Sequence, residues 1–452
     1  MTECNQSGFV FAGHFSRRVE ASFEAGAMTS DAGGLLLREA DGRLNLVSRF
    51  ARCFVDGRNQ AMIRHSVAEM VAQRVYGLAL GYEDLNDHEQ LRNDPLMQVL
   101  AGSPELDDPL AGKSTLNRLE GGGAPDRYKK IAYRGEAMDG LLVDMFLEAF
   151  NEAPAEIVLD LDTTDVELHG KQEGRFFHGY YDEYCYLPLY VFCGDHLLCV
   201  RLREANIDAS AGSLPEVERI IRQIRVRWPE TRIILRGDSG FCRDELMDWC
   251  ERQPNVHYVF GMARNERLRK IILESLAEAG AVYRETLCAA RVFTEFRHTT
   301  TTGSWSRHRR VVAKAEHIAG KENPRYVVTS LTAEQWPARK LYEELYCARG
   351  EMENRIKEQY QLFAGRVSAE TMRANQLRMY LSAMAYVLVS GLRRLGLQAT
   401  EVARAEVATI RTRLFKIGAL VRVSVRRICL SMASSYPWQA LFQQVWTNLH
   451  RT

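Results

Sequence analysis

Three strand-length apolar runs follow one another from residue 156, EIVLDLD, YCYLPLYVFC and HLLCVRLR, before the pattern begins to alternate. Gly194–Asp195 supplies a tight turn between the second and third runs. A helix follows, SLPEVERIIRQIRVRW, with Pro215 suited to its first turn. TRIILRGDSG then reads as a strand ending in Asp238, RDELMDWCERQ as a helix and HYVFGMA as a fifth strand. The order β-β-β-α-β-α-β is that of an α/β mixed sheet covered by helices. The first strand ends in EIVLDLDTTD, which places Asp160, Asp162 and Asp165 where a buried run finishes. Unpaired buried charge is costly, so carboxylates in such a place have partners or bind metal.

The rest of the chain frames this segment. Its 452 residues are enough for two to four domains with a sizeable core. A composition of 46% hydrophobic and 26% charged residues is that of a globular protein in water. There is no apolar run of the length that spans a bilayer, so no membrane partner is expected, and the first residues lack a signal peptide's apolar centre. Ten cysteines occur without CxxC pairs or zinc spacing, as in a cytoplasmic protein with reduced thiols.

Residues 1–150 read as mainly helical. SDAGGLLLREADGRLNLVSRFA begins at Ser30 and Asp31 as cap candidates, and HSVAEMVAQRVYGLALGYEDLNDHEQL reads as further helices broken near Gly77 and Gly81. GKSTLNRL at 112–119 fails the P-loop pattern, because the first glycine of GxxxxGK[ST] would fall on Asp107. It reads instead as a helix capped by Ser114, with Asn117 and Arg118 exposed. Residues 265–335 carry β-like pieces around a polar tip, TTTTGSW, and read as a β-rich insertion. A long helix, RKLYEELYCARGEMENRIKEQYQLF, and a second, more apolar one complete a core made of 151–264 and 336–400.

The net charge of +1 conceals two basic stretches. Residues 390–427 hold nine Lys or Arg against two Glu, a balance of 9 − 2 = +7, within and just ahead of a basic C-terminal region, 401–452. Residues 287–314 hold six against one, a balance of 6 − 1 = +5. Such stretches suggest a polyanion held along particular surfaces, or faces that are merely solvated.

In the long helix, Tyr346, Arg349, Glu353, Lys357 and Tyr360 recur at steps of three, four, four and three, which puts them on one face. A solvated face with ion pairs would explain them singly. Together with Asp162 and Asp238 they permit another arrangement. Two acids at neighbouring strand ends and a helix Glu can hold two Mg2+ ions, since magnesium takes oxygen ligands and keeps several waters. Two such ions suit phosphodiester chemistry, and the strand order suits a ribonuclease H-like core.

The stretches DTT at 162–164, RGDSGF at 236–241 and YCARGEMENRIKE at 346–358, with DAGGLLL at 31–37, GYEDLNDHEQLRNDP at 81–95 and GKSTLNRLE at 112–120, are distinctive together. By them the chain resembles bacterial insertion-sequence transposases of the DDE class, in the branch with a Y-R-E-K signature and a β-rich insertion. The resemblance implies Asp162, Asp238 and Glu353 as catalytic metal ligands, spaced by 76 and 115 residues. It implies Tyr346, Arg349 and Lys357 as DNA contacts, although the family's lysine is expected where this chain has Tyr360. It further implies two Mg2+ ions, with Mn2+ expected to substitute, and a helical DNA-binding region at 1–150. The expected partners are double-stranded DNA, as terminal inverted repeats and target, and a second copy in a dimer on DNA. The expected location is the bacterial cytoplasm, at the nucleoid. Relatives with the insertion use an aromatic residue to hold a flipped base. Trp305, beside Arg307, Arg309 and Arg310, is the candidate here, against packing on its own sheet. The competing functions are a structure-selective nuclease on the same core and an inactive DNA-binding repressor.

Overall fold

The computed structural model describes residues 8–106, 108–121, 130–300 and 303–451. Two of the threonines in the polar tip, 301 and 302, lie outside the described residues. The chain forms two compact units. One comprises the residues up to Ala132 together with those from Met384 onward; the other comprises Tyr133–Ala383. The helix Gly135–Leu147, read with the N-terminal region, therefore belongs to the second unit.

The second unit is built on a nine-stranded mixed sheet. Its main strands are β1 (Glu156–Thr163), β2 (Leu189–Cys193), β3 (His196–Arg201), β4 (Arg232–Gly237), β5 (Val256–Met262), β6 (Ala290–His298), β7 (Arg309–Ile318) and β8 (Arg325–Thr329). The spatial order is β3-β2-β1-β4-β5-β8-β7-β6, and the two-residue strand Lys321–Glu322 pairs with β7. β1, β4 and β5 are mutually parallel neighbours, and the other main pairs are antiparallel. This α/β arrangement of three antiparallel strands followed by parallel ones is the ribonuclease H-like order expected from the sequence. Pro188 ends what looked like one strand, so YCYLPLYVFC splits into Glu183–Tyr186 and β2.

Residues 265–335 do not stand apart from this sheet. β6, β7 and β8 extend it from β5, as β5 pairs with β8 and β8 with β7. The segment also holds two helices, Glu266–Ile271 and Leu273–Thr286, that the strand-like reading passed over.

The sheet buries both faces. On one, Leu159, Leu161, Leu235, Tyr258, Val311 and Ala313 pack under α1 (Ser213–Arg227), α2 (Asp244–Arg252) and the helix Gly135–Leu147. On the other, Ile234, Val259, Val312 and Val327 meet Leu341, Tyr342 and Leu345. These last three residues begin a helical run that changes its winding. It is α-helical at Ala338–Lys340, a π turn at Leu341–Tyr346, a 3-10 turn at Cys347–Arg349, and α-helical again in α3 (Gly350–Gln361). The sequence reading of one regular helix misses these two turns.

The first unit is helical but not wholly so. A hairpin, Phe9–His14 with Arg17–Ala21, is exposed along its whole length. The first helix starts at Gly34, with Gly33 and not Ser30 or Asp31 at its cap. A Cβ on Gly33 would collide with the Leu414 carbonyl, so only glycine allows that approach. The next helix runs from Val67 through Gly77 and stops at Gly81, whose φ of 102° makes it a left-handed cap. Lys113–Glu120 is helical with Gly112, not Ser114, at its cap. The C-terminal region holds a hairpin, β9 (Ala419–Ser424) and β10 (Arg427–Met432), ahead of the helix Gln439–Leu449.

Candidate active site

β1 and β4 run in register with Asp160 opposite Arg236 and Leu161 opposite Gly237. One step further stand Asp162, still in β1, and Asp238, just past the end of β4, close enough for the charge of Asp238 to act on Asp162. Side chains alternate along a strand, so Asp160 and Asp162 share a face, as do Arg236 and Asp238. That face looks towards the π turn, because Ile234 packs with Leu345.

Asp160 and Asp162 have different environments on this face. Both oxygens of Asp160 accept from Arg236, at 2.5 and 2.8 Å, in a buried bidentate pair. The third arm of Arg236 donates to the Leu345 carbonyl at 2.5 Å. Arg236 therefore ties two strands to the helical run and engages both oxygens of Asp160. Of the two rivals for a ligand role, Asp160 is the one held by a bidentate arginine. Sequence reasoning missed Arg236, although its place two residues before Asp238 put it on the same face.

Asp162 is less well compensated. Its Oδ1 accepts from the Thr163 backbone N–H at 2.9 Å, and its Oδ2 lies 3.2 Å from Arg349. Burial pushes its carboxyl up to about 6; Arg349 opposes this, and the charges of Asp238 and Glu353 add to it. Asp238 is half-buried and caps the turn Ser239–Phe241 by accepting from the Gly240 N–H at 2.8 Å. Arg349 also reaches Glu353 at 3.3 Å, so it bridges Asp162 and Glu353.

Tyr346 is half-buried beside these groups. Burial raises its phenol, with Arg349 opposing and Asp238 adding to the effect. A Cβ on Gly261 would fall 2.5 Å from the Tyr346 hydroxyl and 3.1 Å from the Ser239 nitrogen. The absence of a side chain at Gly261 is what lets Tyr346 lie against the end of β5. Lys357 is exposed and, among the described residues, makes no hydrogen bond or ion pair. Tyr360 donates to the Asp165 carbonyl at 2.7 Å and so anchors the segment that follows β1. Of the five residues on the predicted face, Tyr346, Arg349 and Tyr360 meet the strand ends, while Glu353 and Lys357 stay exposed.

Among the described residues, no three His, Cys, Asp or Glu side chains gather as a metal cage. Asp162, Asp238 and Glu353 lie within electrostatic reach of one another, with Arg349 drawn in between. As donors they fit a hard divalent cation, which takes carboxylate oxygens. The carboxyl of Asp162 is raised by burial first, with Arg349 opposing and the charge of Asp238 adding to it.

The Trp305 group lies elsewhere. Trp305 is only 8% exposed and belongs to the core under α2. Arg309 shares the Val311 face of β7, the opposite face of the sheet from the acids. There it pairs with Asp244 at 2.5 Å and Glu251 at 2.7 Å, and Arg307 pairs with Asp248 and Glu251. Arg310 points to the other face and pairs with Glu295 at 2.5 Å. Of the two readings of Trp305, a base-holding ring and a ring packed in the fold, the structure has the packed one. The ring is covered, and helix α2 supplies acids that sequence proximity did not reveal.

The stretches DAGGLLL, GYEDLNDHEQLRNDP and GKSTLNRLE come together in the first unit as structural links. Tyr82 donates to Asp31 at 2.6 Å, Arg74 pairs with Glu120 at 2.6 Å, and Glu89 accepts from the Lys113 backbone at 2.8 Å. His88 bridges Gln73 and Arg74, and burial pushes it down to about 3, so it is neutral there.

A mixed sheet of ribonuclease H-like order with acids at adjacent strand ends defines the class. Within it, the chain belongs to the family described as Transposase DDE domain group 1, which matches residues 11–452. A cryo-EM structure of a piggyBac transposase synaptic complex with hairpin DNA is similar over 86% of this chain and 80% of that chain, at 10% identity and a TM-score of 0.42. No curated protein matches the chain.

Proposed function

We propose that the protein binds the terminal inverted repeats of a mobile element, cuts the DNA at those ends and joins the freed 3′-OH groups to target DNA. What supports this reading is that Asp162 and Asp238 follow the last paired residues of two parallel strands, with Arg349 bridging Asp162 and Glu353. Asp162, Asp238 and Glu353 would hold two Mg2+ ions, or Mn2+ in their place. When bound, such ions activate a hydroxyl nucleophile and stabilise the leaving oxygen of a phosphodiester.

The protein's own groups have separate tasks. Arg349 donates to phosphate oxygens near the scissile bond when a cation takes over its carboxylate partners. Tyr346, seated on Gly261, fixes the approach of the helical run. Lys357 offers an exposed point charge to the DNA backbone. Arg236 and Asp160 hold the platform under all three. The bacterial origin, the cytoplasmic site of action at the nucleoid and a dimer that brings two DNA ends together belong to this same proposal.

The test is a duplex carrying the element's ends, incubated with protein and Mg2+. Wild-type protein should cut it, and Asp238→Ala should bind but not cut. Normal cutting by that variant would remove Asp238 from the chemistry. Joining of the cut ends into a plasmid separates a transposase from a nuclease, and cleavage without joining would leave only the nuclease.

A further inference from the structure

Only part of the basic stretch at 390–427 is free to meet a partner. Arg393 donates to the Ala405 carbonyl, Arg411 to the Leu78 and Ala79 carbonyls, Arg413 pairs with Glu401, and Lys416 pairs with Asp31 at 2.6 Å. These cations are absorbed by the fold. Arg422, Arg426 and Arg427 are not: all three are exposed, and among the described residues none has a side-chain hydrogen bond or ion pair. They cluster at the end of the β9–β10 hairpin.

The hairpin is built to project. Its root is fixed by Ala32, Ile417 and Ala419, packed with Leu430 and Met432, and by pairing of β9 with Met28–Thr29. Beyond Val421 every residue to Cys429 is exposed. Four residues per strand extend roughly 13 Å. The register puts Arg422 opposite Cys429 and Ser424 opposite Arg427, so these make one polar, cationic face. Val423 lies opposite Ile428 on the other face, and Val425 at the turn is fully exposed. From residue 407 to 451 the chain has no Asp or Glu, so nothing nearby in sequence competes for the arginines.

We infer that the β9–β10 hairpin is a DNA-contacting finger, entering a groove of duplex DNA with Arg422, Arg426 and Arg427 against the phosphates. A two-stranded ribbon fits the major groove, and exposed valines suit contact with thymine methyls and sugars. An acid-free cationic tip complements a polyanion and has no use in a fold that leaves it unpaired. This rests on the DNA-binding part of the proposed function but not on its chemistry.

The experiment measures binding of full-length protein to duplex DNA by fluorescence anisotropy without divalent metal, across a salt series. Replacing all three arginines with alanine should weaken binding about 10- to 100-fold near 0.1 M salt. It should also lower the log–log salt slope by roughly 2 to 3, one step per lost phosphate contact. The triple lysine variant should keep most of the slope, and far-UV circular dichroism and thermal melting should match wild type in both. An unchanged affinity and slope in the alanine variant would overturn the hairpin assignment while leaving duplex binding intact. Wild-type protein that binds no duplex at low salt would overturn both readings. Binding to phosphatidylserine vesicles in place of DNA, lost in the same variant, would reassign the finger to an anionic membrane surface and equally overturn it.

Discussion

The two basic stretches look alike in sequence and end differently in structure. In residues 287–314, Arg307, Arg309 and Arg310 are answered by Asp244, Asp248, Glu251 and Glu295, and Arg309 is almost wholly buried. In the stretch ending at residue 427, three arginines on a projecting hairpin have no partner among the described residues. A run of positive charge therefore says little until the acids that face it are known. Those facing the first stretch come mostly from α2, some 60 residues earlier in the chain. β1 shows a contrast of degree in miniature, since Asp160 is held by a bidentate arginine and Asp162, two residues on, by a single longer arginine contact.

The largest effects should come from breaking the satisfied side of this contrast. Arg309→Ala removes the buried guanidinium that Asp244 and Glu251 share and should cost about 3 kcal/mol in urea unfolding. A loss below about 1 kcal/mol would mean that the network is only a surface pairing. Trp305→Ala should cost a similar amount, about 3–5 kcal/mol, by emptying a core position. DNA affinity per folded molecule should stay unchanged, and a selective loss of affinity would restore the tryptophan to the DNA interface.

A smaller effect tests the unsatisfied acid. Because the folded-state carboxyl of Asp162 is raised to about 6, its contribution to stability is present below the usual carboxylate range and is lost as pH rises through 6. Metal-free protein should lose about 2–3 kcal/mol from this group between pH 4 and 7. Asp162→Asn should flatten that part of the profile, measured by denaturation at several pH values. An unaltered pH dependence would show that Asp162 is better compensated than its surroundings imply. The smallest effect belongs to the hairpin. Arg426→Ala should change stability by less than about 0.5 kcal/mol, because an exposed unpaired side chain supports nothing in the fold.

Much of the second unit was legible from residues 156 to 262, because strand and helix periods there are clean and short turns separate them. Asp162 and Asp238 could be placed at strand ends for the same reason. What escaped were features set by distant partners or by backbone detail. The bidentate hold of Arg236 on Asp160 depends on strand register, which no local pattern reveals. Continuity of β6, β7 and β8 with the central sheet depends on the pairing of β5 with β8. The N-terminal hairpin was passed over in a region read for helical spacing, and its strands have no buried face to mark them. The face of Tyr346, Arg349 and Tyr360 was found by helical counting, although the run bearing it is not a uniform α-helix.

That irregular run has an engineering consequence. A π turn is an α-helical turn carrying one residue more than it needs. Removing one residue from Leu341–Tyr346 would let the segment close into ordinary α-helical hydrogen bonding. The deletion would take away the widened turn together with the residue, so everything beyond it should keep nearly its facing and move about 1.5 Å along the axis. Arg349 would still face Asp162, and the π turn would be a place where the chain tolerates a change of one residue in length.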